Sequence, residues 1–121
     1  MKIQPDKIYV QSISGYGAGW VSIGDEKIHT SFVITSMGDR FLWPCKNFET
    51  LQPQDFEELA KFKVELMIFG SGKTIRFPKA KYLEAIITKQ IGIETMDTQA
   101  ACRTYNILAS EGRKVLLAAL I

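Results

Sequence analysis

Histidine is almost missing from this chain: 121 residues contain one, His29. Cysteine is scarce as well, with Cys45 and Cys102 far apart and no partner at metal-ligand spacing. Together these shortages exclude the usual zinc and copper ligand sets, so no metal and no cofactor is expected. One disulfide could form between the two thiols, but a reduced, cytoplasmic-type setting is the better expectation. An excess of charge is also lacking: the net charge is +2 and the pI about 8.5. No basic run with interleaved aromatics and no helix with a Lys/Arg face stands out, so no nucleic acid partner is expected. The longest apolar run, VLLAALI from Val115 to Ile121, falls far short of the ~20 residues that span a bilayer, so no integral membrane segment is expected. The opening MKIQPDKIYV carries neither an apolar secretory stretch nor an Arg/Ser-rich transit stretch, which points to the cytoplasm.

What is present is a core. The hydrophobic share is 46% and the charged residues, 23%, are mixed in sign, which suits one globular domain over residues 1–121. Residues 7 to 43 read as β. Lys7–Gln11 and Gly19–Ile23 are short extended runs separated by a flexible SGYGAG, and Lys27–Thr35 is rich in β-branched and aromatic residues. Met37-Gly38-Asp39 suits a hairpin turn that returns through Arg40–Trp43 and stops at Pro44. The pattern then changes. Pro53, with Asp55, Glu57 and Glu58, opens a helix whose apolar face is Phe56, Leu59, Ala60 and Phe62. Val64–Phe69 is an unbroken apolar strand. Pro78–Gln90 reads as a helix with Leu83, Ile86 and Ile87 inward, and Ile93–Met96 as a second buried strand. A third helix over Thr98–Ser110 stops at Gly112, before the apolar strand at Val115–Ile121. Strands that are apolar throughout and separated by helices imply parallel pairing with both faces covered. The expected fold is therefore α/β and three-layered, with a mixed central sheet, a β-rich N-terminal half and parallel strands in the C-terminal half.

FGSGKT, from Phe69 to Thr74, directly follows a strand and invites comparison with a phosphate-binding loop. Such a loop needs G-x-x-x-x-G-K-[ST] running straight into a helix whose first N–H groups bind the phosphate. Here the first glycine position is Met67, and Thr74 is followed by the extended IRFP. Both requirements fail. The turn is expected to line a crevice at a strand's C-terminal end without binding nucleotide.

The densest polar cluster is GIETMDTQAACRTYN, Gly92 to Asn106. Asp97 or Thr98 can cap the third helix, and capping alone explains both. Cys102 lies near that helix's positive end, where a thiol pKa falls. A catalytic thiol wants a histidine base, however, and His29 sits in a distant strand as a surface residue. Cys102 is thus better read as a small buried residue. Arg103 is expected to point toward the Gly70–Gly72 turn, paired with Asp97 or facing an anion. Tyr105 and Asn106 complete the set. Trp20 and Trp43 are expected in the core and Cys45 at the surface. The candidate site is thus Gly70, Ser71, Gly72, Asp97, Thr98, Cys102, Arg103, Tyr105 and Asn106, and no catalytic residue can be named.

GIETMDTQAACRTYNILASEGRKVLLAALI, preceded by VELMIFGSGK and FLWP, resembles the Mth-type family of small domains of unknown function. Animal members of that family include a mitochondrial respiratory complex I assembly factor and an adipogenesis-associated protein. The matching residues run from Gly70 and Gly72 through Met96–Thr98, Ala101 and Arg103–Asn106 to Glu111 and Gly112. The resemblance implies a three-layer α/β fold and no particular reaction.

Two functions of different class remain open. One is a non-enzymatic binding or assembly module whose protein partner, as the resemblance implies, is a respiratory complex subunit or another membrane-complex protein. The other is a small-molecule-binding domain or small enzyme using the crevice between Gly70–Gly72 and Asp97–Asn106. A homo-oligomer is compatible with either.

Overall fold

A computed structural model describes residues 11–121. The described residues form two sheets. Strands β1 (Ile13–Gly17), β2 (Trp20–Ile23) and β3 (Glu26–Ile28) make a small antiparallel sheet in the order β1-β2-β3. Strands β4 (Phe32–Thr35), β5 (Arg40–Leu42), β6 (Leu66–Gly70), β7 (Gly92–Met96) and β8 (Val115–Ala119) make the central sheet, ordered β5-β4-β8-β6-β7. β6 pairs in parallel with both β7 and β8, whereas β4 pairs antiparallel with β5 and β8. The mixed sheet and its parallel C-terminal strands are as the apolar runs imply.

Alternation along the central strands feeds two cores. From β8 and the residue after it, Leu116, Ala118 and Leu120 face one side, and Val115, Leu117 and Ala119 the other. The first side is covered by short helices: α1 (Pro53–Glu57), the 3-10 turns at residues 48–50, 59–61 and 80–83, and α2 (Glu84–Thr88). It is rich in aromatics, with Trp43, Phe56 and Phe69 meeting edge to face at 5.7–6.1 Å. The second side is covered by α3 (Thr98–Ser110) and by the small sheet, through Ala101, Cys102, Tyr105, Val21 and Ile28. Each fully buried large side chain contributes roughly 1.5–3 kcal/mol by leaving water.

Local chemistry explains most boundaries. Asp55 accepts from the Gln52 N–H at 2.8 Å to open α1, with Pro53 in its first turn. Thr35 and Asp39 pin the β4–β5 turn through a 2.8 Å hydroxyl–carboxylate bond, where a hairpin is expected. Six expectations need correcting. Ile93–Met96 is not a buried strand: β7 is at the sheet edge, with Glu94 exposed and Ile93, Thr95 and Met96 half-buried. SGYGAG is not a flexible spacer, because Ile13–Gly17 forms β1 and pairs with Trp20–Ile23 across a two-residue turn. Lys27–Thr35 is not one strand. The chain leaves the small sheet after Ile28 and enters the central sheet at Phe32, and the break carries exposed His29. Pro78–Gln90 is not one helix. A 3-10 turn at Ala80–Leu83 passes into the five-residue α2, which buries Ile86 and leaves Ile87 exposed. Cys45 is buried, its thiol donating to the Asn47 carbonyl at 3.1 Å. Trp43 is in the core, and Trp20 is only half-buried. The extended run at Lys7–Gln11 lies outside the described residues except for Gln11. Among the described residues, no helix is long and apolar enough to cross a membrane.

Candidate functional site

The ends of β6, β7 and β8 meet the start of α3. Gly70 lets them meet: a Cβ there would stand 3.0 Å from Thr98 Oγ1 and 3.2 Å from Thr98 Cα. Asp97 accepts from the Ala100 N–H at 3.1 Å, the capping role its position predicts. Thr98 does something else. Its hydroxyl donates to the Leu120 carbonyl at 2.5 Å and accepts from the Gly72 N–H at 2.8 Å, while its own N–H donates to the Gly72 carbonyl at 2.9 Å. One buried side chain thus joins the helix, the turn and the end of β8.

Ser71 fixes the turn from inside. Its N–H donates to the Met96 carbonyl at 2.8 Å, and its hydroxyl donates to the Thr74 carbonyl at 2.8 Å and accepts from the Arg76 N–H at 2.9 Å. The N–H groups of Ser71 and Gly72 are therefore engaged inside the fold, and no helix begins until Ala80. A phosphate cradle would need those N–H groups aimed outward.

The rest of the polar set faces elsewhere. Cys102 is fully buried, and burial pushes its thiol up to about 12, outweighing the opposite effect of the neighbouring Arg103 charge. The lowered thiol pKa expected from the helix end is overturned: desolvation dominates five residues into the helix. Arg103 neither reaches the Gly70–Gly72 turn nor pairs with Asp97. It is exposed, and its Nη1 donates to Tyr16 Oη at 2.9 Å. Buried Tyr105 donates to the Gln11 carbonyl at 2.8 Å, and desolvation raises its pKa well above the usual phenol value. Asn106 accepts from the Ile13 N–H and donates to the Ile13 carbonyl, both at 2.8 Å, completing β1 as a neighbouring strand would. Tyr105 and Asn106 thus hold the segment at β1, and Arg103 meets Tyr16 within it.

Between the β1–β2 hairpin and the strand ends lies an open cleft of about 420 Å³. Its walls are Tyr16–Val21, Gly72–Lys73, Thr98–Gln99 and Leu120–Ile121. Of the nine expected site residues, only Gly72 and Thr98 reach it. The hairpin wall was missed because its glycines suggest flexibility. They instead make room for an indole: a Cβ on Gly17 would fall 2.5 Å from Trp20 Nε1. A tryptophan closing an SGYGAGW stretch was the available signal. Lys27 Nζ lies 4.3 Å from the centre of the Trp20 ring. His29 and Cys102 do not line the cleft, and among the described residues no group of three or more metal-ligating side chains occurs. An apolar cleft with one lysine and already-bonded polar groups can seat a ligand more readily than it can move a proton.

Comparison with known proteins agrees with this architecture. Residues 13–121 match the family described as "Protein of unknown function (DUF498/DUF598)". NADH dehydrogenase (ubiquinone) 1 alpha subcomplex assembly factor 3 of Mus musculus is 37% identical over 123 aligned residues, covering 90% of this chain and 58% of that protein. The protein of the same name from Xenopus tropicalis is 29% identical over 98 residues, covering 69% of this chain and 53% of its own. The chain spans about half the length of such curated relatives. Among solved structures, a Bordetella parapertussis protein superposes with a TM-score of 0.86 at 27% identity, covering 92% of this chain and 95% of that one. A Xanthomonas campestris protein gives 0.82 at 30% identity, with 99% and 89% covered. A Mth938-like domain from Bordetella pertussis shares the fold at a TM-score of 0.80 and 22% identity, with 99% and 89% covered. On the match over residues 13–121, the chain belongs to the DUF498/DUF598 family.

Proposed function

We propose that this chain is a non-enzymatic binding module that assists assembly of a respiratory membrane complex, seating an apolar segment of a protein partner in the cleft beside Trp20. The observation that carries this reading is the division of labour at the strand ends. The polar side chains there are bonded to the chain's own backbone, while Tyr16, Trp20, Val21, Leu120 and Ile121 line the cleft. Curated relatives named as complex I assembly factors support the choice of partner class. Removing the gene from its host and separating membrane complexes on native gels tests the assembly role. Subassemblies of the NADH dehydrogenase should accumulate, and a full complement of intact complex would refute it. A photo-reactive residue at position 20 tests the cleft, where capture of a subunit of that complex is the expected result.

A second reading, a small-molecule-binding domain, draws on the cleft volume of about 420 Å³. That lies within the roughly 300–1,000 Å³ typical of ligand pockets. Native mass spectrometry of protein purified from its host would favour it by finding a stoichiometric small adduct that Trp20→Ala removes.

A further inference from the structure

Apart from Lys73, which also lines the cleft, the segment after the Ser71 turn combines two features that the cleft does not use. Residues 73–81, KTIRFPKAK, carry four cations and no acid: Lys73, Arg76, Lys79 and Lys81. Between them stand two of the most exposed large apolar side chains among the described residues, Ile75 at 52% and Phe77 at 69%. Exposed apolar groups on a loose loop would fold back when they could. This loop is held. The Ser71 hydroxyl binds it at both Thr74 and Arg76, and Pro78 is buried behind it. Arg76 folds back along the surface, pairing with Glu49 at 2.6 Å and lying 4.4 Å from the Phe48 ring. Its neighbours on either side, Ile75 and Phe77, are thereby left in solvent, with Lys73, Lys79 and Lys81 exposed around them.

We propose that this loop is a peripheral membrane contact that inserts Ile75 and Phe77 among the acyl chains of an anionic lipid surface while Lys73, Lys79 and Lys81 meet the headgroups. The proposal does not depend on the occupant of the cleft. Large apolar side chains ringed by lysines suit the boundary between headgroups and acyl chains, where both parts are satisfied at once. Two side chains on one short loop offer little to a protein partner, because a stable interface buries roughly 1,200–2,000 Å². Nucleic acid would use the lysines but leave the isoleucine and phenylalanine in water.

Co-sedimentation of the full chain with vesicles tests this. Phosphatidylcholine vesicles containing about a third phosphatidylglycerol should bind it, and pure phosphatidylcholine should not. Binding should weaken strongly in high salt. Replacing Lys79 and Lys81 with glutamine, and leaving Lys73 in place because it also lines the cleft, should lower partitioning roughly twenty-five-fold, about fivefold per charge. Ile75→Ser with Phe77→Ser should lower it roughly tenfold or more through lost apolar insertion. Both sets are exposed, so melting temperatures should be unchanged and loss of binding cannot be blamed on unfolding. Equal binding to neutral and anionic vesicles would overturn the proposal. So would an Ile75/Phe77 variant that binds as well as the unaltered chain. Absence of vesicle binding together with cross-linking from position 77 to a protein in native membranes would also overturn it, in favour of a protein docking loop.

Discussion

The two faces of the central sheet are covered in different ways. One is closed by short helices whose Phe56 packs edge to face against Trp43 and Phe69. The other is closed by two separate bodies, α3 and the small sheet, joined by hydrogen bonds from Tyr105 and Asn106 to the segment at β1. Where those bodies diverge, at the strand ends, the cleft opens. A face sealed by interlocking aromatics holds its cover more tightly than one sealed by two bodies that part at the strand ends. The site lies at the weaker cover.

Mutations can sharpen that contrast. The largest loss is expected on the aromatic face. Phe69→Ala removes a fully buried ring that packs against two other buried aromatics, and should cost about 3–5 kcal/mol in urea melts. A loss below about 1 kcal/mol would mean that face is not the tighter one. On the other face, Asn106→Leu strands both the N–H and the carbonyl of Ile13, which should cost about 2 kcal/mol. Hydrogen exchange should then accelerate in β1 and β2 and leave β6 protected. Uniform acceleration would show that the two covers are not independent.

Cys102→Ser should be mild, about 1 kcal/mol, placing a hydroxyl where a thiol was buried. The thiol also makes a pH prediction. Its pKa is raised from the ordinary 9.0 to about 12, so the folded state holds this proton more tightly than the unfolded chain does. Its contribution to stability is complete below pH 9.0 and is lost as pH rises toward about 12. Stability curves between those values should flatten in Cys102→Ser, and Ellman's reagent should label Cys102 only on unfolding. Rapid native labelling at neutral pH would show an accessible, reactive thiol and reinstate it as a functional candidate. The smallest effect is expected at Arg103, exposed and bonded to one phenol. Arg103→Ala should leave the melting temperature within error. A large drop would mean that the guanidinium supports the hairpin wall more than its geometry indicates.

Much of the fold could be read before any coordinates, and the reasons are local. β6 and β8 were legible because strands buried on both faces have no polar alternation to confuse, whereas β7 was placed correctly but taken as buried when it is a half-exposed edge strand. α3 was legible because Asp97 opens it and Gly112 follows it. The partition of the N-terminal half was not, since nothing in EKIHTSFVIT marks where one sheet ends and another begins. Polar residues in the site were legible by type and misleading by direction: Arg103, Tyr105 and Asn106 share a helix with Thr98 but bond to the segment around β1. The apolar cleft wall was hidden by its glycines, and the loop at Lys73–Lys81 by Gly70 and Gly72 just before it. One stretch resembled a flexible spacer, the other a failed phosphate loop. The second comparison drew attention to Lys73 and Thr74 and away from Ile75 and Phe77, so the basic run interleaved with apolar groups went unnoticed.

The placement of β8 bears on how the chain is made. The element furthest along the described chain sits at the middle of the central sheet, between β4 and β6. Asn106 reaches back 93 positions to Ile13. During synthesis, β4 and β5 therefore emerge as a hairpin with one apolar edge unsatisfied, and β6 and β7 as a parallel pair with the same need. Neither can close until Val115–Ala119 has cleared the ribosome. Long-range pairing of this kind is slow and leaves strand edges open to mispairing while it waits. The central sheet should therefore gain its native order in one step that waits for β8 to emerge.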